Sequence, residues 1–138
     1  MLIMSWNARG LGKAEKRRKV INVVLCRKSA VLFVQETKLA VFDSRVILSI
    51  GGVLLSKVDL PLHGIPFTWS NNRVEGIWTR LDRYLVSQII LSWFPNIVQR
   101  GLPRSISDHS VIILSVSNDN WGLNTFRFFN GWLEDNKF

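Results

Sequence analysis

Apolar positions along the chain fall in short runs between polar turns, and their spacing predicts alternating strands and helices. Residues 2–6 form a strand-length apolar start that ends in the turn Asn7-Ala8-Arg9-Gly10-Leu11-Gly12. Over residues 14–28, Val20, Ile21, Val24 and Leu25 recur at three- and four-residue spacing. That is the apolar stripe of a helix, and its other face carries the basic cluster Lys16, Arg17, Arg18 and Lys19. Residues 30–34 are a continuous apolar run of strand length, closing in Gln35-Glu36-Thr37. Strand, helix and strand in that order predict two neighbouring strands in one sheet. The carboxyl end of such a strand is where α/β folds place their sites.

Residues 42–50 predict a second helix, stopped by Gly51-Gly52. Residues 67–70 and 80–86 predict a hairpin joined by the polar turn Asn71-Asn72-Arg73. A short helix over 88–94 is closed by Pro95, and strands follow at 97–101 and 111–116. The loop 103–109 enters the second of these strands. A tail, residues 118–138, carries the aromatic run Phe126-Arg127-Phe128-Phe129. The organisation expected is one domain over 1–138, with an N-terminal half at 1–56, a C-terminal half at 57–117 and the tail. No internal repeat or low-complexity segment interrupts it.

Composition narrows the function classes. A chain of 138 residues that is 47% hydrophobic can build a real core and is not intrinsically disordered. One cysteine, Cys26, excludes an internal disulfide framework, and two histidines with one thiol exclude a Cys/His zinc cluster. No apolar run approaches the ~18 residues of a spanning helix. Asn7 and Arg9 break the N-terminal apolar stretch before a signal-peptide core forms. The expectation is a soluble intracellular protein without membrane partners, with the nucleus as one candidate compartment. The 18 Lys+Arg against 10 Asp+Glu give a net charge of +8, which suits a polyanionic partner that releases counterions on binding. A solvated basic helix is the plainer account of the same charge.

Four polar positions sit at strand ends or in the loops that follow: Asn7, Glu36, Asp82 and the pair Asp108-His109. A single such residue carries little weight. In order, however, Ser5-Trp6-Asn7-Ala8-Arg9-Gly10-Leu11, Gln35-Glu36-Thr37-Lys38, Arg80-Leu81-Asp82-Arg83 and Ser107-Asp108-His109 resemble the endonuclease/exonuclease/phosphatase family. Within it, the chain is most similar to the apurinic-type endonuclease domain of plant non-LTR (LINE-type) retrotransposons. Residues 59–72 and Phe126-Arg127-Phe128 strengthen that likeness.

The resemblance implies a truncated four-layer α/β sandwich, two packed mixed sheets with outer helices, and Mg²⁺-dependent hydrolysis of DNA phosphodiesters. It assigns Glu36, Asn7 and Asp108 to the metal, a hard cation served by carboxylate oxygen. His109 would donate to the phosphoryl oxygen, Asp82 would fix its ring, and Asp108 would stand with them in catalysis. Arg9, Trp78 and Arg80 would touch nucleic acid. The reverse transcriptase that accompanies such endonucleases is absent from this chain.

The chain also departs from the family pattern. The family's central Gly-Asp-Phe-Asn-type motif, whose aspartate activates water, has no counterpart between Lys38 and Asp82. The nearest Asp-Asn sequence is Asn118-Asp119-Asn120, after the histidine. The central tyrosine is missing too, Tyr84 being the sole tyrosine. The expectation is therefore a nuclease remnant with impaired catalysis. A non-catalytic basic nucleic-acid-binding module is the alternative. A working minimal nuclease, with Asp43 or Asp59 as the replacement base, is the third reading.

Overall fold

A computed structural model describes residues 1–52 and 56–117. The segments expected around Val53-Leu54-Leu55 and over the aromatic tail, including Asn118-Asp119-Asn120, lie outside the described residues. The protein is mixed α/β. In chain order its elements are β1 (Ile3–Asn7), α1 (Ala14–Arg27), β2 (Val31–Gln35), α2 (Ser44–Gly51), β3 (Lys57–Asp59) and β4 (Leu62–His63). They continue with β5 (Trp69–Ser70), β6 (Trp78–Thr79), β7 (Arg83–Ser87), α3 (Gln88–Trp93), β8 (Ile97–Gly101) and β9 (Ile112–Val116).

The opening strand, helix and strand form as the pattern predicts. β1 and β2 lie parallel with Ile3 opposite Val31 and Asn7 opposite Gln35. α1 buries Val20 and Val24 and leaves most of its basic positions in solvent. It ends where Lys28 turns left-handed and its N–H reaches back to Leu25 and Val24 carbonyls. α2 starts at Asp43, whose carboxylate accepts from the Val46 N–H. It stops at Gly52, at φ 73°, where a Cβ would stand 2.9 Å from Leu25.

The predicted hairpin is corrected. Trp69 and Ser70 pair with Thr79 and Trp78, not with residues 80–86. The expected second arm is β7, and it lies antiparallel between β2 and β3 in the order β1-β2-β7-β3. Turn residues favoured a local partner, but Leu85 and Val86 are both fully buried and need both faces of a central strand covered. β3 and β4 were not anticipated, being only three and two residues long.

Alternation along this sheet sorts its two faces. Leu32, Val34 and Leu85 join Val20, Val24 and Ile50 in a core under α1 and α2. Val31 and Val86 face the other way, with Leu60 and Ile90, toward Ile97 and Leu114 of the second sheet, β4-β8-β9. The order through the molecule is thus helices, sheet, sheet. Lys57, only 7% exposed, sits in β3 with its ammonium donating 2.6 Å to the Ser29 carbonyl. Burial pushes its pKa down to about 8.

Candidate active site

The parallel pairing of β1 and β2 runs on past the strands. Ala8, Gly10 and Leu11 donate their N–H groups to the carbonyls of Gln35, Glu36 and Thr37 at 3.0, 2.7 and 2.8 Å. Holding the two loops together costs backbone strain. Arg9, Glu36 and Lys38 have φ of 47°, 52° and 49°, a region that disfavours a side chain by about 1–2 kcal/mol per residue. The arrangement brings Asn7 against Glu36, and Asn7 Nδ2 donates to Glu36 Oε1 at 3.0 Å. Asn7 Oδ1 in turn accepts from the Arg9 N–H at 3.1 Å. The Asn7 bond, then the charges of Lys38, His109 and Arg9, hold the Glu36 carboxyl below its usual range although partial desolvation opposes them.

The second pair comes from the other half of the chain. Asp82 Oδ2 lies 2.8 Å from His109 Nδ1, and Asp82 Oδ1 accepts from the Glu36 backbone N–H at 3.1 Å. Asp82 is 4% exposed. Its carboxylate therefore links the imidazole to the acid loop through one buried group. An acceptor-only carboxylate at that distance assigns the proton to Nδ1, which leaves Nε2 for another partner.

Both pairs line one cleft of about 220 Å³, with Phe33, Gln35 and Ser110 completing its wall. Glu36 and His109 also border a second cavity of about 550 Å³ with Lys38, Trp69, Leu81 and Asp108. Asn7, Glu36, Asp82 and His109 are thus brought together. Asp108 stands apart from the first cleft: its Oδ2 accepts from Trp69 Nε1 at 2.9 Å and its Oδ1 from Ser107. The Trp69 bond is the main reason its carboxyl titrates low. Its geometry is that of a residue orienting Trp69 at the rim of the second cavity.

The expected nucleic-acid contacts divide in the same way. Arg9 is exposed at the acid loop. Trp78 is 55% exposed, with the Arg104 guanidinium 5.1 Å above its ring. Arg80 is turned inward, donating to Asp59 and to the Leu60 carbonyl. Desolvation is the main influence on its pKa and lowers it.

The proposed replacement bases are engaged elsewhere. Asp43 caps α2 and pairs with Arg45, and Asp59 pairs with Arg80 and Arg83. Neither lines the cleft.

Among the described residues, no three His, Cys, Asp or Glu side chains gather as a metal cage. Mg²⁺ does not need one, because it keeps several waters and takes one or two carboxylates plus substrate phosphate. Glu36 fits that single-anchor role, while both Asp82 oxygens are already used by protein donors.

Sequence reasoning missed Phe33, Ser110 and Thr68. Phe33 stacks on Tyr84 with centroids 4.4 Å apart, and only the cross-strand register could have revealed it. Comparison with protein-family models, curated proteins and solved structures finds no match to this chain.

Proposed function

We propose that the chain is the remnant of a Mg²⁺-dependent, phosphodiester-cleaving DNA endonuclease of the endonuclease/exonuclease/phosphatase type, of plant LINE-type retrotransposon origin and impaired in catalysis. The observation that supports this most is the meeting of Asn7–Glu36 with Asp82–His109 at one cleft. An amide, a free-edged carboxylate and an oriented imidazole are what phosphodiester cleavage asks of a protein. The helix, sheet, sheet order is the part of the four-layer sandwich that this reading draws on.

In this reading Glu36 anchors the cation and Asn7 fixes the carboxylate's orientation through its 3.0 Å bond. Bound Mg²⁺ supplies charge neutralisation at the phosphate. His109, held by Asp82 on Nδ1, donates from Nε2 to a phosphoryl oxygen in its protonated form. Arg9 and Trp78 meet the DNA strand, and the nucleus is where that substrate lies. With Glu36 given to the cation, no other carboxylate lining the cleft is free to deprotonate water: Asp82 is fully bonded, and Asp43 and Asp59 are elsewhere. Loss of a general base costs about 10²–10⁴-fold in rate.

The second reading, a non-catalytic nucleic-acid-binding module, rests on exposed Trp78 beside Arg104 and on the solvent-facing cations of α1.

Supercoiled plasmid incubated with the protein and Mg²⁺, beside His109→Ala, separates these readings. The expected result is DNA binding that weakens steeply with salt, strengthens with Mg²⁺ through Glu36, and nicks no faster than the variant. Nicking well above the variant overturns the impairment. Binding that ignores Mg²⁺ and is unchanged in Glu36→Gln leaves the plain binding module.

A further inference from the structure

We infer that Thr68 is a positioning residue that sets the Asp82–His109 geometry from beneath the cleft. This assignment rests on the nuclease reading only for its purpose, not for its physics. Thr68 is fully buried, and its Oγ1 accepts from two successive backbone donors, Leu81 N–H at 2.9 Å and Asp82 N–H at 3.1 Å.

Those bonds occupy both lone pairs of the hydroxyl and fix the peptide that carries the Asp82 side chain. From the opposite side, Thr37 donates both its N–H and its hydroxyl to the Leu81 carbonyl, each at 2.9 Å. The Leu81–Asp82 segment is therefore clamped between two buried threonines.

The same residue also holds the imidazole side. The Thr68 carbonyl accepts from the Ser110 N–H at 2.8 Å, and its neighbour Ser70 donates to the Asp108 carbonyl at 3.1 Å. Between these bonds Trp69 and His109 face each other as an antiparallel bridge. The Thr68 N–H is spent on Thr79, at 3.1 Å.

One residue thus ties the backbone of the acid by its side chain and the backbone next to the imidazole by its main chain. The pair's 2.8 Å contact joins segments 27 positions apart in sequence. A small rotation of either segment separates it. The hydroxyl is the discriminating atom, because the main-chain bonds survive substitution.

The test compares Thr68→Val, which keeps the shape and removes the acceptor, with Thr68→Ser, which keeps the acceptor and removes the methyl. His109 ring nitrogens are read by ¹⁵N NMR on the free protein, without DNA or metal. With the pH raised until the ring is deprotonated, wild type and Thr68→Ser should show one tautomer, with the proton on Nδ1. In Thr68→Val the two nitrogen shifts should move toward each other as the tautomers mix.

A wild-type spectrum in Thr68→Val overturns the inference, as does mixing in a folded Thr68→Ser. Should Thr68→Val fail to fold, deuterium exchange of wild-type protein decides. Leu81 and Asp82 amides should exchange at least about tenfold slower than unbonded loop amides. Exchange at the loop rate overturns the assignment. Because no nucleic acid enters these measurements, failure of the nuclease reading in the plasmid assay is a separate result.

Discussion

The two ends of the cleft are built on different principles. At the imidazole end, Asp82 is buried and each of its oxygens has a protein donor, so the group is locked and offers nothing to a ligand. At the acid end, Glu36 is part-exposed, and among the described residues its second oxygen has only Lys38, at 3.7 Å. That end is held by strained backbone and leaves oxygen available to a cation. A site that must orient one proton benefits from the first arrangement, and one that must exchange waters around an ion benefits from the second.

The largest expected difference between the ends is in stability. Asp82→Ala leaves the part-buried Glu36 N–H without its acceptor, at about 1–3 kcal/mol, and frees the His109 ring, which solvent can reach, at a smaller cost. Glu36→Gln keeps an amide oxygen for Asn7 and should stay within about 0.5 kcal/mol of wild type, as exposed substitutions do. Urea unfolding of both variants measures the gap, and equal losses would erase the distinction. Next, Mn²⁺ in place of Mg²⁺ should broaden NMR signals of Asn7 and Glu36. That broadening should vanish in Glu36→Gln and persist in Asp82→Asn. Loss in both variants would mean the ends bind the ion jointly.

Smaller effects lie in pH. Lys57 is lowered to about 8 in the folded chain from an ordinary 10.5, so the unfolded chain holds more protons between those values. Stability should therefore rise as pH climbs from about 8 to 10.5, and Lys57→Met should flatten that rise in a thermal-melt series. At the acid end the sign is the same, in a lower pH window. The lowered Glu36 carboxyl contributes stability above its unfolded value, and this is lost as pH falls through the folded one. Removal of the α2 cap in Asp43→Ala should leave the cleft unchanged and show as a modest loss of helical circular dichroism.

Legibility in the sequence followed the range of the forces involved. β1, α1 and β2 were readable because periodicity and a polar turn specify them locally, and the acid end of the site came with them. Asp82 and His109 were visible as residue types, but their contact depends on β7 joining β2, a pairing no turn chemistry announces. The bonds of Asp108 to Trp69 and of Arg80 to Asp59 are likewise long-range contacts that no local pattern announces. Thr68 looked like an ordinary strand residue, since nothing in Phe67-Thr68-Trp69-Ser70 marks which hydroxyl turns inward.

The placement of β7 between β2 and β3 has a consequence for biosynthesis. When residues 1–52 have left the ribosome, Val31, Leu32 and Val34 wait with one edge of their strand unclaimed and part of their greasy surface wet. That edge closes only after Ser87 emerges, and His109 follows later still. During this interval the nascent segment is a target for holdase chaperones, and slow translation through the middle of the message prolongs its exposure.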